Sequence, residues 1–306
     1  MIRGQAQFCL GEYDAALESL QRVAALRPDD WTARMFALYA ARESGRWDLE
    51  AEIFDAHRKA LERSSGPDDG PIAAQGLLYF PFRPDELLKL AAGRYKRLKA
   101  SIRHYPPLAA PAVAPARDTG PIRLGYFSAD FRRHPIMQLS VDLLASHDRR
   151  RFSVHAYNVG PLDDSEWQHR AMRAVDSFTD LAGNDAHSAA TRIKQDRIDV
   201  LIDFSLYAQY ARPEIPAMRP APLQMQWLGF SGTSGGDAYD YIVVDQTIVP
   251  EPDARFYSEH LFWMPDCFLP NRRLEPIPEA PSRAEMGLPE GAFVFCCFNL
   301  PKKLDR

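Results

Sequence analysis

The histidine His134 lies where an apolar run passes into an amphipathic segment, a position at which a side chain can meet a ligand. Residues 122–127 predict a strand, and Pro135 suits the first position of a helix because its missing N–H has no partner there. His134 is then the helix N-cap, where backbone N–H groups and the helix dipole attract anions such as phosphate. The same field favours the neutral imidazole, which can accept a proton near pH 7. A histidine that only caps the helix explains the pattern equally well.

Two further loops carry groups that could hold an anion. Residues 227–241, WLGFSGTSGGDAYDY, contain four glycines directly after a predicted strand, so their backbone N–H groups could approach a ligand closely. Residues 207–224 contain Arg212 and Arg219, either of which could pair with a phosphate or a carboxylate. A flexible turn and solvated arginines are the alternative interpretations of these two loops.

The motifs of several other enzyme classes are missing from the sequence. The stretch LGYFSADFRR around the first predicted strand has a single glycine instead of G-x-G-x-x-G, so we expect no dinucleotide cofactor. The sequence has no P-loop, no G-x-S-x-G elbow and no H-E-x-x-H zinc motif. It also lacks a D-x-D spacing that would hold a divalent metal on a sugar diphosphate. We therefore expect chemistry without a metal or a cofactor.

Strands and helices are predicted to alternate from residue 122 onward, and they would position these loops. Strands are predicted at 122–128, 152–159, 198–205, 223–230 and 239–245, with helices at 135–146, 163–175 and 185–197, and the apolar run 293–299 predicts one further strand. Apolar strands that alternate with helices are typical of a parallel sheet covered on both faces. Ligands of such sheets bind beyond the carboxyl ends of the strands, where all three loops would lie. The sequence thus predicts an α/β fold with a doubly wound, nucleotide-binding type of domain.

A helical repeat region is predicted upstream of this domain. Residues 1–104 have helical periodicity, and Gly11 and Gly45 are 34 residues apart, each with an aromatic residue two positions later. Thirty-four residues is the tetratricopeptide period. Glu50 departs from this pattern, because a small residue is expected there to let the helices approach. Residues 105–121 carry five prolines and predict a stiff, extended connector.

Composition and cysteine usage limit the partners and the compartment. The net charge of −4 argues against a broad nucleic-acid surface, and no stretch approaches the 18 apolar residues of a membrane span. The four cysteines form no C-x-x-C pair, and Cys296 and Cys297 lie in an apolar run, so we expect buried thiols. These features predict a cytoplasmic protein that binds neither nucleic acid nor membranes.

Four stretches together resemble one protein family. They are GYFSADFRRHP (125–135), ARPEIPAMRPAPLQMQWLGFSGTSG (211–235), DYIVVD (240–245) and FYSEHLFWMPDCF (256–268). They are similar to the protein O-linked N-acetylglucosamine transferases of glycosyltransferase family 41, including its SPINDLY-like bacterial members. The resemblance runs from residue 122 to residue 306, and tetratricopeptide repeats upstream agree with the family's layout.

The resemblance implies a fold and an activity. Family members have the GT-B fold, two Rossmann-like lobes with a cleft between them. They transfer a sugar, here expected to be N-acetylglucosamine, from a UDP-sugar to Ser or Thr hydroxyls of proteins, with inversion and without a metal. The expected domains are a tetratricopeptide-like region at 1–104, a linker at 105–121, the first lobe at 122–290 and the start of the second lobe at 291–306. Acceptor proteins are expected to bind through the helical repeats.

The resemblance also implies roles for individual residues. His134 matches the family's active-site histidine, proposed as the base or the orienting group. Lys303 matches the essential lysine that holds the diphosphate, where it would neutralise the charge that develops on the leaving group. The residues that match substrate-binding positions are Pro135, Arg212, Leu228, Gly229, Gly232 and Thr233.

Several positions depart from the family pattern. Leu206 and Tyr210 stand where relatives have glycine, Ala208 where they have threonine, and Ser231 where they have proline. Bulky residues at the glycine positions would narrow or remodel the acceptor side. The resemblance further implies that most of the second lobe, with most nucleotide-binding residues, follows Arg306. A tetratricopeptide interaction module with a vestigial transferase half is therefore one alternative function, and a Rossmann-type nucleotide enzyme of another family is a second.

Overall fold

The computed structural model describes residues 1–28, 30–63, 74–108, 120–270, 279–299 and 303. The chain divides into two compact units, one formed by Met1–Arg58 with Arg272–Arg306 and the other by Lys59–Asn271. Most of the predicted connector, residues 109–119, lies outside the described residues.

Four helices form the described N-terminal region: α1 (Ile2–Cys9), α2 (Tyr13–Leu26), α3 (Trp31–Glu43) and α4 (Trp47–Arg63). Gly11 and Gly45 precede α2 and α4 with φ of +78° and +69°, a conformation that glycine adopts without strain. Small and aliphatic side chains of α2 and α3 form the core of this region. The structure thus has the helices that the periodicity predicts, with the two glycines in equivalent turns. The assignment to tetratricopeptide repeats stays a prediction.

The carboxylate of Glu50, which departs from the repeat pattern, is buried together with a guanidinium. Arg42 is only 2% exposed, and its Nη1 donates to Glu50 Oε1 at 3.1 Å. The guanidinium of Arg42 also lies 5.8 Å from the centroid of the Trp47 ring. A buried carboxylate is tolerated when it is paired in this way, so the second repeat accommodates Glu50 without a small residue.

The second unit contains a seven-stranded, fully parallel sheet. Its strands are β1 (Ile122–Ser128), β2 (Phe152–Asn158), β3 (Ser177–Asp180), β4 (Val200–Asp203), β5 (Leu223–Gln226), β6 (Tyr241–Asp245) and β7 (His260–Met264). Their order is β3-β2-β1-β4-β5-β6-β7. The helices are α5 (Ala74–Leu77), α6 (Pro84–Ile102), α7 (Pro135–Ser146), α8 (Glu166–Ala174) and α9 (Ala186–Gln195), and 3-10 turns occupy Pro216–Met218 and Glu251–Phe256.

The sheet is covered on both faces, as the sequence predicts. Tyr126 and Val154 belong to one apolar cluster together with Met137 of α7. Phe127 belongs to a second cluster with Ile193 of α9, because successive side chains of a strand point to opposite faces. Strand β1 is paired with β2 on one side and β4 on the other, so the strand order reverses there. A parallel sheet opens a ligand crevice at such a reversal.

Some predicted elements differ from the structure. The strands β3 and β7 were not predicted, because β3 is a short, half-buried SFTD segment and the side chains of β7 are largely exposed. The predicted strand at 293–299 is wrong, and Phe293, Phe295 and Phe298 are 83%, 89% and 97% exposed. A strand needs a hydrogen-bonded neighbour, and none of the described strands pairs with this segment.

The predicted burial of Cys296 and Cys297 is also wrong, since both thiols are exposed. The prediction depended on a strand that would bury alternate side chains, and without the strand the apolar pattern has nothing to pack against. In the part of the chain that the structure describes, no helix is long and apolar enough to cross a membrane.

Candidate functional site

The loops that carry the predicted site residues leave the carboxyl edge of the sheet after β1, β4 and β5. Hydrogen bonds hold the first two of these loops together. The backbone N–H of Ala129, just after β1, donates to Ser205 Oγ at 2.9 Å, and Ser205 Oγ lies 3.3 Å from Ser128 Oγ. These loops therefore meet at the reversal of strand order, where the sequence places the ligand.

His134 is the N-cap of α7, and its ring orientation defines its tautomer. The N–H of Ile136 donates to His134 Nδ1 at 3.3 Å. An imidazole nitrogen that accepts a hydrogen bond carries no proton, so the neutral ring has its proton on Nε2. Among the described residues, His134 Nε2 has no hydrogen-bond partner. The ring can thus donate a hydrogen bond to a ligand oxygen through Nε2.

A buried carboxylate lies beside this histidine. Asp130 is 1% exposed, and its Oδ2 is 3.6 Å from His134 Nδ1 while its Oδ1 accepts from Arg132 at 3.0 Å. Burial lowers the pKa of His134 more than Asp130 raises it, and Arg132 lowers it further. Burial likewise raises the pKa of Asp130, against the opposing charges of His134 and Arg132. The ring is therefore held neutral near pH 7, in agreement with the sequence analysis.

The first turn of α7 has few donors left for an anion. Pro135 has no N–H, and the N–H groups of Met137 and Gln138 donate to the His134 carbonyl at 3.0 and 3.1 Å. With the Ile136 N–H on the His134 ring, the helix satisfies its own N-terminal donors. Only the helix dipole remains to favour an anion there, so this arrangement favours the capping function over direct phosphate binding by the backbone.

The turn after β5 approaches the end of β4 very closely. Leu228 takes a φ of +75°, a left-handed conformation that is strained for a non-glycine residue. A Cβ added at Gly229 would be 1.9 Å from the carbonyl oxygen of Phe204. The Trp227 indole N–H donates to the carbonyl of Phe268 at 2.8 Å and anchors the turn from the other side. Strained backbone held by its surroundings is typical of functional sites.

Contacts within the protein hold the glycine-rich loop in place, so it is not an open loop that wraps around a ligand. Thr233 Oγ1 donates to Glu259 Oε2 at 2.8 Å, and the N–H of Ser234 donates to Glu259 Oε1 at 2.7 Å. Added Cβ atoms at Gly235 and Gly236 would lie 2.1 Å from the α6 backbone and 1.8 Å from the Tyr95 ring. Two of the four glycines thus allow α6 to pack on the loop, an explanation that the sequence alone did not suggest. Gly232 lies in the same loop, next to the Phe230 ring.

Arg212 is engaged by groups of this chain. Its Nε donates to Glu214 Oε1 at 2.5 Å and its Nη1 to the carbonyl of Asn184 at 3.1 Å, in the loop after β3. A phosphate or carboxylate ligand would have to replace these partners. Arg219, the other candidate arginine, pairs with Asp240 at 2.9 Å.

The two bulky residues at expected glycine positions keep a glycine-like backbone. Leu206 and Tyr210 take φ of +42° and +63°. The side chain of Leu206 is buried, whereas Tyr210 is 52% exposed and its ring lies 5.6 Å below the Arg132 guanidinium. Tyr207 is buried as well, so neither Leu206 nor Tyr207 projects freely from the sheet edge.

Lys303 is exposed and belongs to the unit formed by Met1–Arg58 and Arg272–Arg306. Its role at a diphosphate stays a prediction. Among the described residues, no group of three or more His, Cys, Asp or Glu side chains could hold a metal ion.

Besides Asp130, a second buried carboxylate at this edge, Asp203, was not predicted from the sequence. Asp203 ends β4, and its Oδ1 accepts from the N–H groups of Ser205 and Leu206 at 2.7 and 3.0 Å. The Tyr239 hydroxyl donates to its other oxygen. Burial raises the pKa of Asp203, against these hydrogen bonds. An aspartate at the end of the apolar run VLID was the available signal, and its position makes Asp203 a positioning residue for the loop after β4.

The comparisons with known proteins agree on one family. The family described as glycosyl transferase family 41 matches residues 78–274. A probable UDP-N-acetylglucosamine–peptide N-acetylglucosaminyltransferase, SEC, of Arabidopsis thaliana is 33% identical over 272 residues, which cover 85% of this chain and 27% of that protein. The UDP-N-acetylglucosamine–peptide N-acetylglucosaminyltransferase of Caenorhabditis elegans is 38% identical over 148 residues, which cover 48% of this chain and 13% of that protein.

A solved structure is similar in fold. A mutant of the Thermobaculum terrenum O-GlcNAc transferase superposes with a TM-score of 0.66 and 24% identity, over 91% of this chain and 52% of that chain. The present chain therefore spans about half of that structure and less than a third of the two curated relatives. The similarity to the structure concerns the fold, an N-terminal helical region followed by a Rossmann-like lobe.

Proposed function

Because the chain belongs to glycosyl transferase family 41, we propose that it is part of a protein O-glycosyltransferase that uses UDP-N-acetylglucosamine. The relatives named as UDP-N-acetylglucosamine–peptide N-acetylglucosaminyltransferases support the donor and the peptide acceptor. The observation that carries the proposal within the chain is His134, held neutral at the strand-order reversal with Nε2 unoccupied among the described residues.

In the proposed reaction the oxygen of a Ser or Thr hydroxyl forms a bond to the anomeric carbon of the sugar. The bond from that carbon to the diphosphate oxygen breaks, UDP leaves with the electron pair of that bond, and the hydroxyl proton passes to solvent water. Attack from the face opposite the diphosphate inverts the anomeric centre. We assign no metal to this step, and the proposed group that neutralises the leaving diphosphate is Lys303.

We propose that His134 orients a reacting oxygen and does not act as the general base. The tautomer with a proton on Nε2 donates a hydrogen bond, and it cannot accept a proton at that atom. Accepting one at Nε2 would require a ring protonated on Nδ1, which would break the hydrogen bond from the Ile136 N–H. Orientation of the reacting group alone can supply a large part of a rate enhancement.

The helical region would present acceptor proteins, and the protein would act in the cytoplasm. Both statements follow from the sequence analysis and from the family, and they remain part of this proposal. The glycine-rich loop, with Gly232 and Thr233, and the turn at Leu228 and Gly229 would line the sugar side of the crevice.

The test is sugar transfer by the gene product that carries these 306 residues. The protein is incubated with radiolabelled UDP-N-acetylglucosamine and a mixture of Ser- and Thr-containing peptides, and labelled peptide is quantified. We expect His134→Ala to lower kcat/KM by about 100-fold. His134→Asn keeps an oxygen for the Ile136 N–H and an amide donor, so it should retain more activity than His134→Ala. His169→Ala is the matched control, because this histidine is half-exposed and pairs with Asp164, far in sequence from His134.

Two results would contradict the proposal. Equal loss in His134→Asn and His134→Ala would refute the orienting role and support a general base. Absence of both transfer and UDP-sugar binding in the unaltered protein, with a protein partner still retained by the helices, would support the interaction module with a vestigial transferase half.

A further inference from the structure

A cavity of about 190 Å³ lies in the sheet unit between helix α6, the loop after β5 and the segment 248–257. Leu87 and Ala91 line it from α6, Phe230 lines it from the loop, and Val249 and Phe256 line it from the third side. The positions on α6 recur with helical spacing, so one face of that helix forms the wall. The lining is mostly apolar, as in sites for small organic molecules.

The cavity is bounded by a tight joint between α6 and the glycine-rich loop. At one end of the contact, Gly235 and Gly236 leave no space for a methyl group against Ala91 and Tyr95. The Tyr95 hydroxyl donates to the Asp237 carboxylate at the same place. Leu87, about one turn earlier on α6, lines the cavity together with Ala91. The close contact between α6 and the loop holds the cavity walls in position, so the cavity is present without a ligand.

The walls define the chemical class of the ligand. An apolar cavity of about 150 Å³ in a protein core takes up benzene, so this volume suits one six-membered ring with one small substituent. Arg94 and Asp253 both line the cavity, and their opposite charges give no preference for an ion. The Arg94 guanidinium lies 5.1 Å from the centroid of the Tyr207 ring, and a guanidinium plane also stacks on aromatic ligands.

We propose that this cavity is a binding site for an uncharged, single-ring apolar molecule of about the size of phenol. Gly232 and Thr233 line the cavity and belong to the loop that the sugar-transfer proposal places at the crevice. A bound ring would therefore contact this loop directly. Binding itself does not depend on transferase activity. For so few ligand atoms we expect a Kd of roughly 0.1–1 mM.

Phenol is the probe, titrated into the full chain and followed by saturation-transfer NMR. Leu87→Trp fills the cavity and should raise the Kd at least 10-fold. Leu88→Trp is the matched control, because it introduces the same side chain at the next helix position, which does not line the cavity. Ser231 is exposed at the rim of the cavity, so Ser231→Trp should obstruct the cavity and also weaken phenol binding. This second variant tests the proposal if Leu87→Trp does not fold. Far-UV circular dichroism establishes that each variant is folded.

The expected result is saturable phenol binding to the unaltered chain and to Leu88→Trp, with weakened binding to the folded cavity variants. The proposal is overturned if phenol shows no saturable binding below 10 mM, a concentration about ten times the weakest Kd expected. Equal affinity in the unaltered chain and in the folded cavity variants would overturn it as well. None of these results depends on sugar transfer, so failure here is distinguishable from failure of the proposed enzymatic function.

Discussion

Adding one methyl group at Gly229 should separate the loops after β4 and β5. The Cβ of Gly229→Ala would lie 1.9 Å from the Phe204 carbonyl oxygen and 3.0 Å from its carbonyl carbon. Both are backbone atoms, so no side-chain rotation relieves the overlap. To reach ordinary van der Waals contact the two loops would have to move apart by roughly 1.5 Å. Overpacking of this kind costs about 1–3 kcal/mol, and we expect about 2–3 kcal/mol because the neighbouring Leu228 is already strained.

The assay is thermal and urea-induced unfolding of Gly229→Ala beside Gly183→Ala. No atom of the described residues lies within 4 Å of a Cβ added at Gly183, so that control should unfold within about 0.5 kcal/mol of the unaltered protein. For a unit of this size each kcal/mol corresponds to a change in Tm of about 2–4 °C, so Gly229→Ala should melt several degrees lower. If the two variants have the same Tm, the close approach of the loops is refuted. In a transfer assay, a displacement of about 1 Å would lower kcat by about 100-fold.

Three further predictions concern stability. Acidification from pH 6.5 to pH 4 should destabilise the helical unit by up to about 3 kcal/mol. Burial lowers the pKa of His57 from 6.5 to about 4 in the folded state. Below pH 6.5 the unfolded chain therefore binds a proton on this histidine that the folded chain does not bind, and the free energy of unfolding falls. Denaturation at several pH values should show that His57→Phe removes much of this dependence. Leu206→Gly should lower the free energy of unfolding by about 2–4 kcal/mol, because the lost buried side chain outweighs about 1 kcal/mol of relieved backbone strain. Tyr210→Gly should change the free energy of unfolding by less than about 1 kcal/mol. The half-exposed ring and its contact with Arg132 stabilise the fold only slightly, and the substitution also relieves the backbone strain of the positive φ.

The predictions for His57 and Leu206 each have a control. His169→Phe replaces a half-exposed histidine and should leave the pH dependence of unfolding intact. A pH dependence that persists unchanged in His57→Phe would contradict the assignment to His57. Leu206→Ala keeps the strained φ, so it should be less stable than Leu206→Gly by about 1 kcal/mol. An alanine variant at least as stable as the glycine variant would show that the strain at this position is negligible.

The site was predictable to the extent that it depends on neighbours in sequence. The position of His134 at the N-cap followed from Pro135 and the preceding apolar run. A neutral ring was predicted from the helix dipole, whereas in the structure burial is the largest cause of the lowered pKa. The tautomer did not, since it depends on which ring nitrogen faces the Ile136 N–H. The carboxylate of Asp203 was missed because the sequence around a strand-ending aspartate does not show whether its side chain is buried. Its burial depends on Tyr239, a hydrogen-bond partner 36 residues away.

The sequence by itself determined the alternation of helices and strands, five of the seven strands of the sheet, and the sheet edge from which the loops after β1, β4 and β5 leave. These features follow from apolar periodicity and from proline and glycine, which act over a few residues. The tertiary structure alone decided that Gly235 and Gly236 serve the packing of α6, that Arg42 compensates Glu50, and that the apolar segment at 293–299 has no described strand to pair with. Such outcomes depend on contacts between groups distant along the chain, or on the absence of a partner, and no local pattern encodes them.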